Sequence, residues 1–77
     1  MELKAKAELL GVTKKDTKKG EAVIITVMDG EVFEIWTFND DCKKKAFTKK
    51  KGDPISLTFE ARKFRSFMQV GQLVGVE

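Results

Sequence analysis

Residues 31–38, reading Glu-Val-Phe-Glu-Ile-Trp-Thr-Phe, carry large apolar side chains at both alternating positions of a predicted strand. Successive strand residues point to opposite faces of a sheet, so Phe33 and Ile35 point one way and Trp36 and Phe38 the other. A chain of 77 residues can fill only one core. One of the two aromatic sets should therefore lie near solvent, where it needs a ligand or a partner.

The composition excludes most kinds of catalytic site. The chain has no histidine and no tyrosine, which removes the commonest general base and most transition-metal sites. Cys42 is the single cysteine, so neither an intrachain disulfide nor a zinc cluster is available. We expect one domain spanning 1–77 that is not an enzyme and uses no cofactor and no metal.

The N-terminal residues alternate charged and apolar side chains, unlike a secretory signal, which has an apolar segment. No apolar run approaches the roughly 20 residues that a membrane span needs. Together with the lone cysteine, these observations predict a cytoplasmic protein that does not act on a membrane.

The first segment alternates in the period of a half-buried strand, with apolar residues at Leu3, Ala5, Ala7 and Leu9. The phase changes at Gly11, which indicates a bulge or a sharp bend. Residues 13–20 contain no apolar side chain and end in glycine, so they are interpreted as an exposed loop. Residues 21–28 are rich in β-branched side chains and predict a second strand.

Asp29-Gly30 predicts a two-residue hairpin turn between the second and third strands. Pairing outward from this turn gives two faces: Val27–Val32, Ile25–Glu34 and Val23–Trp36 on one, and Thr26–Phe33 and Ile24–Ile35 on the other. Burying an unpaired carboxylate at Glu34 is costly. This predicts Val23, Ile25, Trp36 and Phe38 outside, and Phe33 and Ile35 in the core.

Asn39-Asp40-Asp41 supplies helix-capping side chains, so residues 42–47 are predicted to form a short helix. Adjacent acids at a helix start are better explained as caps than as metal ligands. Two further strands follow, and a hairpin centred on Arg65-Ser66 predicts the core-facing pairs Ala61–Val70, Leu57–Val74 and Ile55–Val76.

This order of strand, strand, strand, short helix, strand, strand, with a bent first strand, resembles an OB-fold, an all-β five-stranded barrel with one short helix. An SH3-like barrel is the alternative, although it usually lacks a helix at that point, and a β-grasp fold fits less well. Along its full length the element order resembles the very small single-stranded-DNA-binding proteins of phages and conjugative elements. That resemblance implies a role in DNA replication of a mobile element.

In OB-folds the ligand usually lies across the second and third strands, flanked by the loops between strands one and two and between strands four and five. Lysines and arginines can follow phosphates, while each base stacked on an aromatic ring contributes about 1–3 kcal/mol. The candidate nucleic-acid-binding residues are Lys14, Lys15, Lys18, Lys19, Trp36, Phe38, Arg62, Lys63, Phe64, Arg65 and Phe67. The expected partner is single-stranded nucleic acid, with DNA favoured over RNA.

Other interpretations stay open at this point. Lysine-rich loops are often ordinary solvated loops, Trp36 alone is equally compatible with a core position, and Phe67 with closing the end of the barrel. A second functional hypothesis is a protein-interaction module whose apolar face on strands two and three packs in a homo-oligomer or partner complex. A third is an RNA-binding OB domain. The lysines after Cys42 suggest a lowered thiol pKa, although a plain structural thiol is the simpler reading.

Overall fold

Five strands and one helix occur in the described part of the chain, in the order that the sequence predicts. The structure is a computed structural model that describes residues 1–65 and 67–77, leaving out the side chains of residues 63, 64 and 67–69. The elements are β1 (Glu2–Thr17), β2 (Gly20–Asp29), β3 (Glu31–Thr37), α1 (Asp40–Phe47), β4 (Pro54–Phe64) and β5 (Phe67–Val76).

The strands form one antiparallel sheet in the order β3-β2-β1-β4-β5. The long β1 pairs with β4 through its first half and with β2 through its second half, and a register shift lies between Leu9 and Gly11. The predicted bulge at Gly11 is confirmed. So is the coarse fold prediction of a mostly β domain with one short helix. Over the described residues the sheet order has no β3–β5 pairing that would close a barrel.

The prediction that residues 13–20 form an exposed loop is wrong, because β1 continues to Thr17 and pairs with β2 up to Gly20. Pairing gives the backbone N–H and C=O groups of both strands hydrogen-bond partners, while the polar side chains stay hydrated. Lys18 and Lys19 make the turn. The Thr17 hydroxyl donates to the Gly20 carbonyl at 2.7 Å and accepts from the Lys19 N–H at 3.2 Å.

The β2–β3 hairpin differs from its predicted register by one residue. Asp29 pairs with Glu31, so Gly30 stands alone at the tip with a φ of 73°, and Ile25 lies opposite Ile35. A one-residue shift moves every side chain of a strand relative to its partner. Here it aligns the apolar residues of both strands and leaves Glu34 exposed opposite Thr26.

The predicted face assignment is therefore corrected in part. Val23 and Ile25 were expected outside, but both are 0% exposed in the core. Phe33 was expected in the core and is 46% exposed, whereas Ile35 does pack against the core. The exposed positions predicted for Trp36 and Phe38 are confirmed; each is 47% exposed.

Helix α1 begins at Asp40, two residues before the predicted start. The Asn39 side-chain oxygen accepts from the Cys42 N–H at 3.0 Å, which caps the helix, and Asp40 and Asp41 lie in its positive first turn. Cys42 and Ala46 are buried and pack into the core. The core cluster comprises Leu9, Val23, Ile25, Val27, Cys42, Ala46, Ile55, Leu57, Leu73 and Val76.

The β4–β5 hairpin has the predicted centre, since Phe64 pairs with Phe67 and Ala61 with Val70. Ser66 itself lies outside the described residues. Two irregularities around Phe59 then displace β5, so Leu57 pairs with Val76. The predicted core positions of Val70 and Val74 are wrong; both are exposed, and Leu73 is buried instead.

Candidate functional site

The outer face of the sheet, defined here by Thr13, Lys15, Ile24 and Trp36, carries the exposed tryptophan. The β1–β2 register sets Lys15 opposite Ala22, and the β2–β3 register sets Ile24 opposite Trp36. The Lys15 Nζ lies 5.1 Å from the centre of the Trp36 ring. This distance is within the range of a cation–π contact. The outer face thus joins an aromatic ring to an exposed cation.

A cavity of about 450 Å³ opens between the two edge strands β3 and β5. Its lining residues are Trp36, Thr37, Phe38, Asn39, Gln72 and Leu73. Thr37 is buried, and its hydroxyl accepts from the Asn39 N–H at 3.1 Å, which ties the end of β3 to the start of α1. The volume falls within the about 300–1,000 Å³ typical of ligand pockets. Two of the predicted rings, those of Trp36 and Phe38, meet in this edge-strand cavity.

A neighbouring cavity of about 310 Å³ shares Gln72 with the edge-strand cavity and is also lined by Arg62 and Glu60. The Arg62 Nη2 lies 3.6 Å from the Glu60 carboxylate, and both side chains are substantially exposed. An exposed ion pair of this kind contributes about 0–1 kcal/mol. It therefore holds the guanidinium of Arg62 only weakly.

The predicted lysines separate into different surfaces. Adjacent strand residues face opposite ways, so Lys14 lies on the side of the sheet that carries α1, with its Nζ 5.5 Å from the centre of the Phe47 ring. It lines a cavity there with Lys43 and Lys44. Lys18 and Lys19 are exposed at the β1–β2 turn. Grouping Lys14 with Lys15, as the sequence suggested, is wrong.

The remaining predicted residues lie near the β4–β5 turn. Arg65 is exposed, and its φ of 56° fits its position in a tight turn. The side chains of Lys63, Phe64 and Phe67 are outside the described part of the structure, so their place in a binding surface stays a prediction.

Sequence reasoning missed three lining residues of the cavities. Gln72 sits among valines and glycines of β5, and this polar interruption was a usable signal. Asn39 was interpreted only as a cap. Phe33 lines a further, apolar cavity of about 250 Å³ together with Phe59 and Leu57. A ring that is half exposed at the rim of the core is not predictable from alternation alone.

Neighbouring charges and burial act on the thiol of Cys42. Burial raises its pKa, Asp41 raises it further, and Lys45 lowers it. The net direction is upward, so the lowered pKa suggested by the adjacent lysines is wrong. Among the described residues no group of three or more histidine, cysteine, aspartate or glutamate side chains is arranged to hold a metal ion.

Within the described residues, no helix has both the length and the apolar character needed to cross a membrane. Comparison with family models, with curated proteins and with solved structures gives no match to this chain.

Proposed function

We propose that this chain is a non-catalytic protein that binds single-stranded nucleic acid, with DNA favoured over RNA, on the outer face of β1–β3. The observation that carries the proposal is the exposed Trp36 ring with the Lys15 ammonium 5.1 Å from its centre. Binding of single strands without sequence readout needs flat rings for the bases and cations for the phosphates. The Trp36 ring and the Lys15 ammonium supply one of each, in contact with each other.

The interaction energies favour replacement of the Lys15 ammonium on the Trp36 ring by a stacked base. A cation–π contact at an exposed site contributes about 0.5–1 kcal/mol, whereas base stacking on an aromatic ring contributes about 1–3 kcal/mol. A base can therefore displace Lys15 from the ring. The released ammonium then lies beside the stacked nucleotide, where it can contact a phosphate.

The surrounding residues support a track longer than one nucleotide. β3 ends at Thr37 opposite Val23, three residues from Gly20, so the Lys18–Lys19 turn extends beyond the Trp36 end of the sheet. The edge-strand cavity, which both rings line, shares Gln72 with the cavity of Arg62. We infer a track that passes the two rings and has cations from the Lys18–Lys19 turn and from Arg62 along it.

An OB-type barrel is the architecture we propose for this domain. It is supported by the sheet order, in which β1 is shared between β2 and β4, and by the short helix between β3 and β4. The edge strands β3 and β5 border one cavity without pairing, as in a partly open barrel.

Titration of Trp36 fluorescence with oligonucleotides tests the proposal. We expect single-stranded DNA to quench the emission of this one tryptophan, with duplex DNA competing poorly. The affinity should fall with salt, with a slope of about −0.7 per phosphate neutralised. A matched RNA strand that competes as well as DNA would favour the RNA-binding alternative. Undetectable binding to every oligonucleotide at low salt would exclude the proposal.

Self-association is a second candidate function, favoured by the apolar cavity beside Phe33. The β2 residues first expected on an interaction surface, Val23, Ile25 and Val27, are buried in the core. The exposed ring of Phe33 and the cavity it shares with Phe59 supply a different apolar surface. Light scattering of the Phe33→Glu variant tests this candidate, since an oligomer built on that surface should dissociate.

A further inference from the structure

The edge-strand cavity combines two rings with two side-chain amides. Trp36 and Phe38 line it from β3, Asn39 from the start of α1, and Gln72 from β5. Flat rings bind any base through its face, whereas amides discriminate between bases by donating to and accepting from their edges. The cavity therefore has chemistry beyond that of a nonspecific stacking surface.

The helix cap fixes which end of the Asn39 amide is a donor. Its Oδ1 accepts from the Cys42 N–H at 3.0 Å, a bond that only the oxygen can make. The backbone that carries this side chain is held as well, because the Asn39 backbone N–H donates to the Thr37 hydroxyl. Asn39 thus presents its Nδ2, a hydrogen-bond donor, as the other end of a restrained amide.

Gln72 supplies the complementary group from the opposite edge strand. It is exposed, and its amide has one accepting oxygen and one donating nitrogen. A donor from Asn39 and a donor–acceptor pair from Gln72 match a base edge on which carbonyl oxygens flank a ring N–H. Thymine has this edge, with two carbonyl oxygens, whereas adenine has no carbonyl oxygen.

We propose that the edge-strand cavity receives one base of the bound strand and favours thymine over adenine, through donation from Asn39 Nδ2 and hydrogen bonding to the Gln72 amide. This inference rests on the proposed single-strand binding and deepens it. The proposed binding supplies the affinity, and the cavity adds a preference at one nucleotide of the track.

The experiment compares two variants that remove the amide chemistry and keep the fold. Asn39→Asp retains a capping oxygen for the Cys42 N–H, because aspartate caps helices about as well as asparagine, and replaces the Nδ2 donor with an acceptor. Gln72→Met keeps the length of an exposed side chain and removes its amide. Binding of fluorescein-labelled oligothymidine and oligodeoxyadenosine is measured by anisotropy, and thermal unfolding by circular dichroism verifies the fold.

The quantity compared is the ratio of the two affinities in each protein. Base stacking within the free adenine strand is the same for every protein tested. The charge added by Asn39→Asp weakens binding of both strands. Neither effect therefore accounts for a change in the ratio of the two affinities. We expect each variant to lower the thymine preference roughly twofold to tenfold, as the loss of one hydrogen bond would do.

The outcomes separate this inference from the function on which it rests. A lower ratio in both variants supports the base site. If the wild-type protein binds both strands and either variant keeps the original ratio, the base site is wrong and single-strand binding stands. If the wild-type protein binds neither strand, the proposed function fails and the base site fails with it.

Discussion

The Lys15 ammonium lies 5.1 Å from the centre of the Trp36 ring, although β2 separates the two strands that carry these residues. The bulge at Gly11 is what brings Lys15 to the same face of the sheet as Trp36. Before it, the even-numbered residues of β1 share the outer face, as Glu8 opposite Met28 shows; after it, the odd-numbered residues do. Without the bulge, Lys14 would lie on the side of Trp36.

Replacing the ring tests the stacking surface. We expect Trp36→Ala to weaken binding of labelled single-stranded DNA by about 1–3 kcal/mol in anisotropy titrations, with little loss of stability because the side chain is half exposed. Phe47→Ala is the control: this ring is equally exposed but lies beside Lys14 and α1. Equal losses in the two variants would contradict the assigned surface.

Two adjacent lysines test which side of the sheet binds phosphates. We expect Lys15→Gln to reduce the magnitude of the salt slope of binding by about 0.7, the effect of losing one phosphate contact to a single strand. Lys14→Gln removes the same charge one residue away on the opposite face and should change the slope less. A larger effect at Lys14 would place the strand on the side of α1 instead.

Glu34 is an exposed negative charge on the outer face, two residues from Trp36 on the same strand and opposite Thr26. It repels phosphates, so Glu34→Gln should tighten binding, by less than about 1 kcal/mol because the charge is solvated. The gain should shrink as salt is added. Glu21→Gln, beside Lys14, is the control with the same change in net charge. No gain, or an equal gain from Glu21→Gln, would argue against a strand passing beside Glu34.

The observed β2–β3 register is tested by stability. Ile25 is fully buried opposite Ile35, so Ile25→Ala should lower the free energy of unfolding by about 2–5 kcal/mol in urea titrations. Val32→Ala, at an exposed position of β3, should change it by no more than about 0.5 kcal/mol. The register with Ile25 outside predicts a small effect at Ile25, which is the result that would refute the observed pairing.

Burial of Cys42 makes stability depend on alkaline pH. Burial and Asp41 raise the thiol pKa in the folded chain above its usual 9.0. The folded state then holds the proton more tightly than the unfolded state. The stabilising contribution is fully present below pH 9.0 and is lost as pH rises from there through the folded pKa.

Urea titrations at pH 7 and above pH 9 should therefore show a smaller alkaline loss of stability in Cys42→Ala than in the wild-type protein. The comparison cancels the titration of lysines, which both proteins share. An identical loss in the two proteins would mean that the thiol does not contribute.

Features with a local cause were predictable. The bulge follows from Gly11 at a change of phase, the presence of a capped helix after β3 from Asn39, and the centre of the last hairpin from the apolar alternation on both sides of residues 65–66. Each depends on the conformational preference of a residue or on hydrogen bonds within a few positions. The exposure of Trp36 was predicted from the cost of burying the Glu34 carboxylate, which lies on the same face of β3.

The sequence by itself thus determined the order of the elements, the bend in β1 and the surplus of aromatic side chains that one core cannot bury. Tertiary structure alone decided the β2–β3 register, the separation of Lys14 from Lys15 and the meeting of Trp36, Asn39 and Gln72 in one cavity. These depend on contacts between distant strands, where burial summed over the whole sheet outweighs the preference of a single turn.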